Sequence, residues 1–338
     1  MKRNIFIKPI EMKKIFLLLV LIFGFFYLMG YGFSGYVFAK KYEVTDLLFD
    51  NSHFLKVDGV ELHYRIWLPS KSTNHGNILL VHGLGGSTYS WRYVVSALIE
   101  KGYTAVAVDL PGFGLSQRKP AIHQSYENRA SLLWKFIDIV SLEGPWHLAG
   151  HSMGGGIVAA MAVQKPHDIK SIILIDGSIE GRKSRFILFL LRPKIIRKIA
   201  GKFICRLFIT KRKIKSFLKS AYGREPYPEE VEGYYRPLRL KNTYLTLSSL
   251  LRKDVSDRKL PNKLDKIIAP ALCLWGNEDE WIPASKGKEL IERIPDATLF
   301  LIDEAEHCPM ETHPDILNRY LIRFLENLTL NHLNRKKR

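Results

Sequence analysis

A chain of 338 residues can bury a full apolar core. It exceeds the roughly 250–300 residues at which single cores stop growing, so one large domain with an insertion and a separate N-terminal segment is expected. Charged residues make up 25%, which excludes a disordered chain, yet 51 Lys+Arg against 33 Asp+Glu leave a formal charge of +18. That excess invites a polyanion, either nucleic acid or an anionic membrane. Cys205, Cys273 and Cys308 are too scattered for a disulfide framework or a zinc site and read as packing residues.

Residues 15–39 carry no charged side chain. As a helix they span about 37 Å, enough to cross a hydrocarbon core of ~30 Å with tilt. Residues 1–41 are therefore expected to form a single-pass membrane anchor. The rival is a cleaved signal ending at Val37-Phe38-Ala39, which gives a secreted or periplasmic protein. The run is longer than a signal core of roughly 7–15 residues, which favours the anchor. Lys2, Arg3, Lys8, Lys13 and Lys14 precede the run, against Lys40 and Lys41 behind it. That bias puts the N-terminus in the cytoplasm and the rest of the chain outside it.

The next signal is a hairpin, Phe54 to Val57 and Val60 to Ile66, joined by Asp58-Gly59. Continuous apolar runs at 77–81, 104–108, 171–175, 271–275 and 298–302, with the strand entering Ser152, read as strands buried on both faces. Helical patterns lie between them, at 90–101 and 126–142 among others. This alternation predicts an α/β fold: a mostly parallel sheet flanked by helices, built from residues 50–180 and 263–330.

Residues 181–262 break the rhythm, with helical patterns and no buried-strand run, and are expected to form a helical basic cap. From 181 through 223 there is no Asp or Glu, while fourteen Lys and Arg alternate with Phe, Leu and Ile. Basic plus bulky apolar residues at helical spacing describe a surface that lies on anionic lipid. The interleaved apolar residues make lipid a better partner than nucleic acid, and no nucleic-acid partner is expected. Residues 331–338 read as a basic tail.

Three glycine-rich turns follow buried strands. They are His82-Gly83-Leu84-Gly85-Gly86, Asp109-Leu110-Pro111-Gly112-Phe113-Gly114, and Gly150-His151-Ser152-Met153-Gly154. The last is a G-x-S-x-G pattern, in which a strained strand-to-helix turn lifts a serine hydroxyl clear of the sheet. The helix that follows aims its N–H groups and positive dipole end at the same spot. Such a serine needs a base, and the base an acid to fix its tautomer. His307 and Asp279 both follow buried strands, and the order Ser152, Asp279, His307 suits this chemistry on this kind of sheet. Glu278 and Glu280 flank Asp279, and Asp176 stands at an alternative strand end.

On these residues, with Pro283 after Asp279, the chain from about 54 to 328 resembles the α/β-hydrolase family in its capped, serine-nucleophile subgroup. The resemblance implies Ser152 as nucleophile, His307 as base, Asp279 as orienting acid, and an oxyanion hole from the backbone N–H groups of Leu84 and Met153. It implies no cofactor or metal, and it excludes the dehalogenase and epoxide hydrolase branches, which use Asp. One departure is Glu306, where the family usually has glycine. The layout is similar to that of membrane-bound monoacylglycerol lipases. The function expected is hydrolysis of carboxylic esters, of lipid or another acyl chain. A C–C bond hydrolase, a thioesterase, or a non-catalytic binding protein on the same scaffold stand as alternatives.

Overall fold

The alternation of apolar runs and amphipathic stretches resolves into one eight-stranded sheet. A computed structural model describes residues 42–70, 74–119, 125–179, 193–250 and 259–336. The expected anchor or signal at 15–39 and the first part of the basic stretch lie outside these residues. Among the described residues no helix is long and apolar enough to cross a membrane.

The strands are β1 (Ser52–Val57), β2 (Val60–Trp67), β3 (Gly76–Val81), β4 (Tyr103–Val108), β5 (Trp146–His151), β6 (Ser171–Ile175), β7 (Ala271–Gly276) and β8 (Ala297–Ile302). They lie in the order β1-β2-β4-β3-β5-β6-β7-β8. Only the pairs β1–β2 and β2–β4 are antiparallel; the other pairs are parallel. The hairpin turns at Asp58 and Gly59, both at positive φ. From β3 the chain crosses to β4 on one side and then to β5 on the other. That reversal opens a crevice at the carboxyl ends of β3 and β5, where open α/β sheets take their ligands.

Strands β3 to β7 are buried throughout, because helices cover both faces. On one face Leu79, Val81, Val106, Leu148 and Ile172 pack against α2 (Tyr126–Val140) and α3 (Met153–Gln164) through Leu133, Phe136, Ile157 and Met161. On the other, Ile78, Leu80, Ala107, Ile173 and Leu274 meet Trp91, Leu98, Leu317 and Leu321. Successive strand residues point to opposite faces, so an unbroken apolar run feeds both cores. Cys273 and Cys308 are buried and Cys205 is half-buried, all as free thiols.

The sequence predicts one helix over 90–101. The structure divides it into a 3-10 turn, Thr88–Trp91, and a shorter α1 (Val95–Glu100). Ser87 caps the turn by accepting from the Tyr89 N–H at 3.2 Å. Between β6 and β7 the described residues form α4 (Lys194–Phe208), α5 (Lys211–Tyr222), α6 (Pro228–Leu238) and α7 (Thr243–Leu250). Thr210 caps the start of α5 and a left-handed Gly223 ends it. After β7 come α8 (Ser285–Ile291), α9 (Pro309–Thr312) and α10 (Pro314–Lys336). Because α10 continues to Lys336, the basic residues read as a tail from 331 begin inside a helix.

Among the described residues, two buried polar clusters help to tie the insert to the core. In one, the Thr246 hydroxyl donates to the Gly112 carbonyl at 3.0 Å, and Arg118 donates to Thr243 Oγ1 and the Pro237 carbonyl. In the other, buried Glu311 gathers Arg92 of the core with Tyr222 and Tyr234 of the insert. Arg92 also faces Glu230 of α6, which Arg224 holds from the insert side at 2.8 Å. Charge-assisted contacts this well buried are strong, and removing one partner strands the other.

Candidate active site

Ser152 stands between β5 and α3 at φ 52, ψ −118, a conformation that a side chain adopts only under constraint. The constraint is visible on both sides. Its N–H donates to the Ile175 carbonyl at 2.9 Å, and its own carbonyl accepts from Gly155 and Ser178 at 2.9 and 2.8 Å. Glycine is required at the two positions flanking the turn. A Cβ on Gly150 would run into the Gly154 backbone, and one on Gly154 into the Val81 carbonyl. The turn thus sits directly on the neighbouring strand, with the hydroxyl held above it.

Three side chains that the sequence scatters over more than 150 positions meet here. His307 Nε2 is 3.0 Å from Ser152 Oγ, and His307 Nδ1 is 2.8 Å from Asp279 Oδ2. Asp279 follows β7, and its Oδ1 accepts from the Trp281 and Ile282 N–H groups at 2.8 and 3.0 Å. Burial raises the Asp279 pKa, but the hydrogen bond and charge of His307 and the Ile282 N–H outweigh it and hold the group below its ordinary range. Asp279 is therefore a carboxylate, which sets the His307 proton on Nδ1 and leaves Nε2 to accept from the serine.

Asp176, at the end of β6, lies beside this array. It accepts from the Gly276 N–H at 2.9 Å, and its carboxyl meets that of Asp279. Burial, and then the Asp279 charge, raise its pKa well above the ordinary value. Of the two adjacent buried carboxyls, Asp176 therefore favours the proton and Asp279 the charge. Asp176, Asp279 and His307 place ligand atoms within 4.8 Å of one another, a set able to hold a metal ion. Both His307 nitrogens and Asp279 Oδ1 are already engaged in hydrogen bonds, so the donor set fits a proton relay better. Glu278 and Glu280 do not enter the array. Glu306 instead accepts from the Glu280 N–H at 3.3 Å, and its stem lies against Gly223.

Of the two expected oxyanion donors, Met153 directly follows the serine and Leu84 follows Gly83 in the first glycine turn. Met153 opens α3, so its N–H belongs to the first turn and has no intrahelical acceptor. Leu84 lies in a loop pressed against the elbow, since a Cβ on Gly83 would sit 3.1 Å from the Ser152 Cβ. The Leu84 side chain is 54% exposed.

Two histidines brace these turns in roles that the sequence does not announce. His82 donates from Nδ1 to the Gly83 carbonyl at 2.7 Å and accepts at Nε2 from the Leu110 N–H at 3.0 Å. It thereby bolts the first glycine turn to the second. Burial lowers its pKa to about 4, which keeps it neutral. His151 donates from Nε2 to the His307 carbonyl at 2.8 Å, and burial, then the neighbouring His307, lower it to about 3. Behind Met153 lies Arg129, 1% exposed. Its Nη1 donates to Met153 Sδ at 3.1 Å, and its Nε and Nη2 have no hydrogen-bond partner.

The match to known proteins agrees with this geometry. The model of the α/β hydrolase fold family matches residues 76–314, and the chain belongs to that family. The chain is 28% identical over 276 residues to the hydrolase YugF of Bacillus subtilis, covering 80% of this chain and 96% of that protein. It is 28% identical over 249 residues to Lipase 3 of a Moraxella species, covering 72% and 75% respectively. The crystal structure of a bacterial membrane phospholipase A superposes with a TM-score of 0.66 at 22% identity, covering 95% of this chain and 99% of that one. At that identity the likeness is one of fold. The protein is thus a hydrolase with esterase- and lipase-like relatives.

Proposed function

We propose that the protein is a membrane-associated serine hydrolase that cleaves carboxylic esters of acyl lipids through an acyl-enzyme. The observation that carries the reading is the strained Ser152 hydroxyl with His307 Nε2 at 3.0 Å and Asp279 behind it at 2.8 Å. In this mechanism Ser152 Oγ attacks the ester carbonyl while His307 takes its proton. The oxyanion forms against the N–H groups of Leu84 and Met153, which need no reorganisation as charge develops. Collapse expels the alcohol, protonated by His307, and a water activated by the same imidazole then releases the acid.

The lipid part of the reading rests on the insert and on the similarity to Lipase 3. Ile195, Ile199, Leu207 and Phe208 of α4 are exposed, with Lys194, Lys198 and Lys202 exposed among them. Helix α5 opens on Lys211-Arg212-Lys213, three cations at the positive end of a helix dipole, which a nearby anionic surface would offset. The charge is smaller than the sequence alone suggests. Lys211 pairs with Glu232, and Lys215 and Lys219 with Glu225. The anchor at 15–39 and the extracytoplasmic placement of the domain remain part of this proposal and rest on the sequence.

A fluorophosphonate probe, followed by a panel of esters of increasing chain length, tests the chemistry. Labelling of Ser152 with a preference for acyl esters is expected, and an unlabelled Ser152 would end the reading. Reversing Lys194, Lys198 and Lys202 to Glu should slow turnover of esters presented in anionic vesicles and leave soluble esters unaffected. Equal rates in both formats would separate the insert from the membrane.

A further inference from the structure

Trp281 touches two members of the array at once. Its backbone N–H donates to Asp279 Oδ1 at 2.8 Å, and its indole lies face-on to the His307 ring, with centroids 4.9 Å apart and planes at 29°. The His307 ring also meets His151, centroids again 4.9 Å apart and planes at 51°. The imidazole therefore touches two aromatic rings while its two nitrogens hold Asp279 and Ser152. These ring contacts oppose a swing of the imidazole away from the hydroxyl.

The indole is held in turn by the insert. Phe217 of α5 packs edge-on against it at 4.5 Å, and its Nε1–H donates to Ser220 Oγ at 3.0 Å. Phe217 and Ser220 are three residues apart and share one helix face. Trp281 is 37% exposed and Phe217 44% exposed, so general burial does not account for the fixed indole. The specific contacts to α5 do.

We propose that Trp281 is a positioning residue for His307, and that α5 sets its pose through Phe217 and Ser220, so the seating of the insert controls the competence of the base. This rests on the reading of Ser152 and His307 as nucleophile and base. Acyl transfer needs the hydroxyl and imidazole in register, and a misplacement of about 1 Å can cost ~100-fold.

The test follows fluorophosphonate labelling of Ser152 and turnover of a short p-nitrophenyl ester by the full chain. Trp281→Ala and the bulkier Trp281→Leu should each lower kcat and the labelling rate by about 10- to 100-fold with KM nearly unchanged. Trp281→Phe, which keeps a ring over the imidazole, should recover most of the rate. Phe217→Leu with Ser220→Ala should slow the native enzyme and add little to Trp281→Ala, a non-additivity expected only of residues acting through one another. A raised KM at unchanged kcat would make Trp281 a pocket wall, and additive losses would detach α5 from it; either overturns the proposal. Unchanged labelling of Trp281→Ala, beside a native chain that labels, overturns the proposal alone. No labelling of the native chain overturns it together with the reading of Ser152.

Discussion

Ser152–His307–Asp279 and Ser52–His63–Asp109 are two arrays of the same three side chains in one molecule, at almost the same spacings. In the first the contacts are 3.0 and 2.8 Å; in the second, Ser52 Oγ lies 2.8 Å from His63 Nε2, and His63 Nδ1 lies 2.7 Å from Asp109 Oδ2. The surroundings differ. Ser52 begins an extended edge strand, and its oxygen already accepts from the Phe49 N–H at 2.9 Å. Asp109 accepts from the Thr88 and Leu115 N–H groups at 2.7 Å each, and the Ser116 hydroxyl donates to its carbonyl. The second array ties β1, β2 and the ends of two glycine turns together. It has no strained turn and no helix start aimed at its serine. A serine, a histidine and an aspartate in line make a relay; the elbow and the N–H groups beside it are what can make a nucleophile.

The largest expected contrast is between the two serines. Ser152→Ala should lower ester turnover by ~10⁴-fold or more, while Ser52→Ala should leave kcat within about twofold. Equal losses would erase the distinction. The acids should divide in kind rather than degree. Asp279→Asn is expected to cost about 10³- to 10⁴-fold in kcat with the fold intact, because it upsets the His307 tautomer. Asp109→Asn should act on stability, by roughly 1–3 kcal/mol in urea titrations, since a buried acceptor hub loses its charge. Asp176→Asn preserves a neutral side chain and should cost far less activity than Asp279→Asn. A reversed ranking would move the acid to β6.

Acid should weaken the sheet that carries the first array. His82 and His147 are lowered to about 4 by burial, and His151 to about 3. In the unfolded chain each binds a proton near pH 6.5, while in the folded protein it stays neutral. The unfolded state therefore holds more protons below that point. Stability is complete above about pH 6.5 and falls toward pH 4, by up to ~1.4 kcal/mol per pH unit for each group. Urea midpoints at pH 7.5, 6 and 5 should decline in that order. A flat series would mean that these rings are protonated in place.

The smallest expected effect has the opposite sign. Arg129 is a buried cation whose Nε and Nη2 are unpartnered, and no carboxylate hydrogen-bonds or ion-pairs with it among the described residues. Arg129→Met removes that cost and should raise the unfolding free energy by about 1 kcal/mol. A loss of stability would show that the guanidinium contributes more through packing on Phe113 and Met153 than its burial costs.

Much of this molecule was legible in its sequence because the signals are local. The apolar runs marked every parallel strand, since a strand covered on both faces has no polar side to show, but the run at 298–302 is only partly buried because β8 lies at the sheet edge. The glycines around Ser152 marked the elbow, because close backbone approach admits no Cβ. Glycine turns and candidate acids after successive strands marked the sheet edge where the site lies. What the sequence withheld is held by contacts across distance. Nothing in a neutral-looking His63 or His82 shows that one joins a second array and the other bolts two turns together. The fourteen cations between 181 and 223 read as one uniform basic surface, yet acids from 225 to 232 fold back and engage part of it. Glu311, Arg92, Tyr222 and Tyr234 are ordinary residues until burial makes them a clamp. The indole of Trp281 comes to lie on His307 only because α5 is packed where it is. Local sequence determined which turns are strained and which strands are buried, since those depend on neighbours in the chain. Tertiary structure decided which polar groups meet, since the pairing of a buried charge is fixed by whatever the packed fold brings within about 3 Å of it.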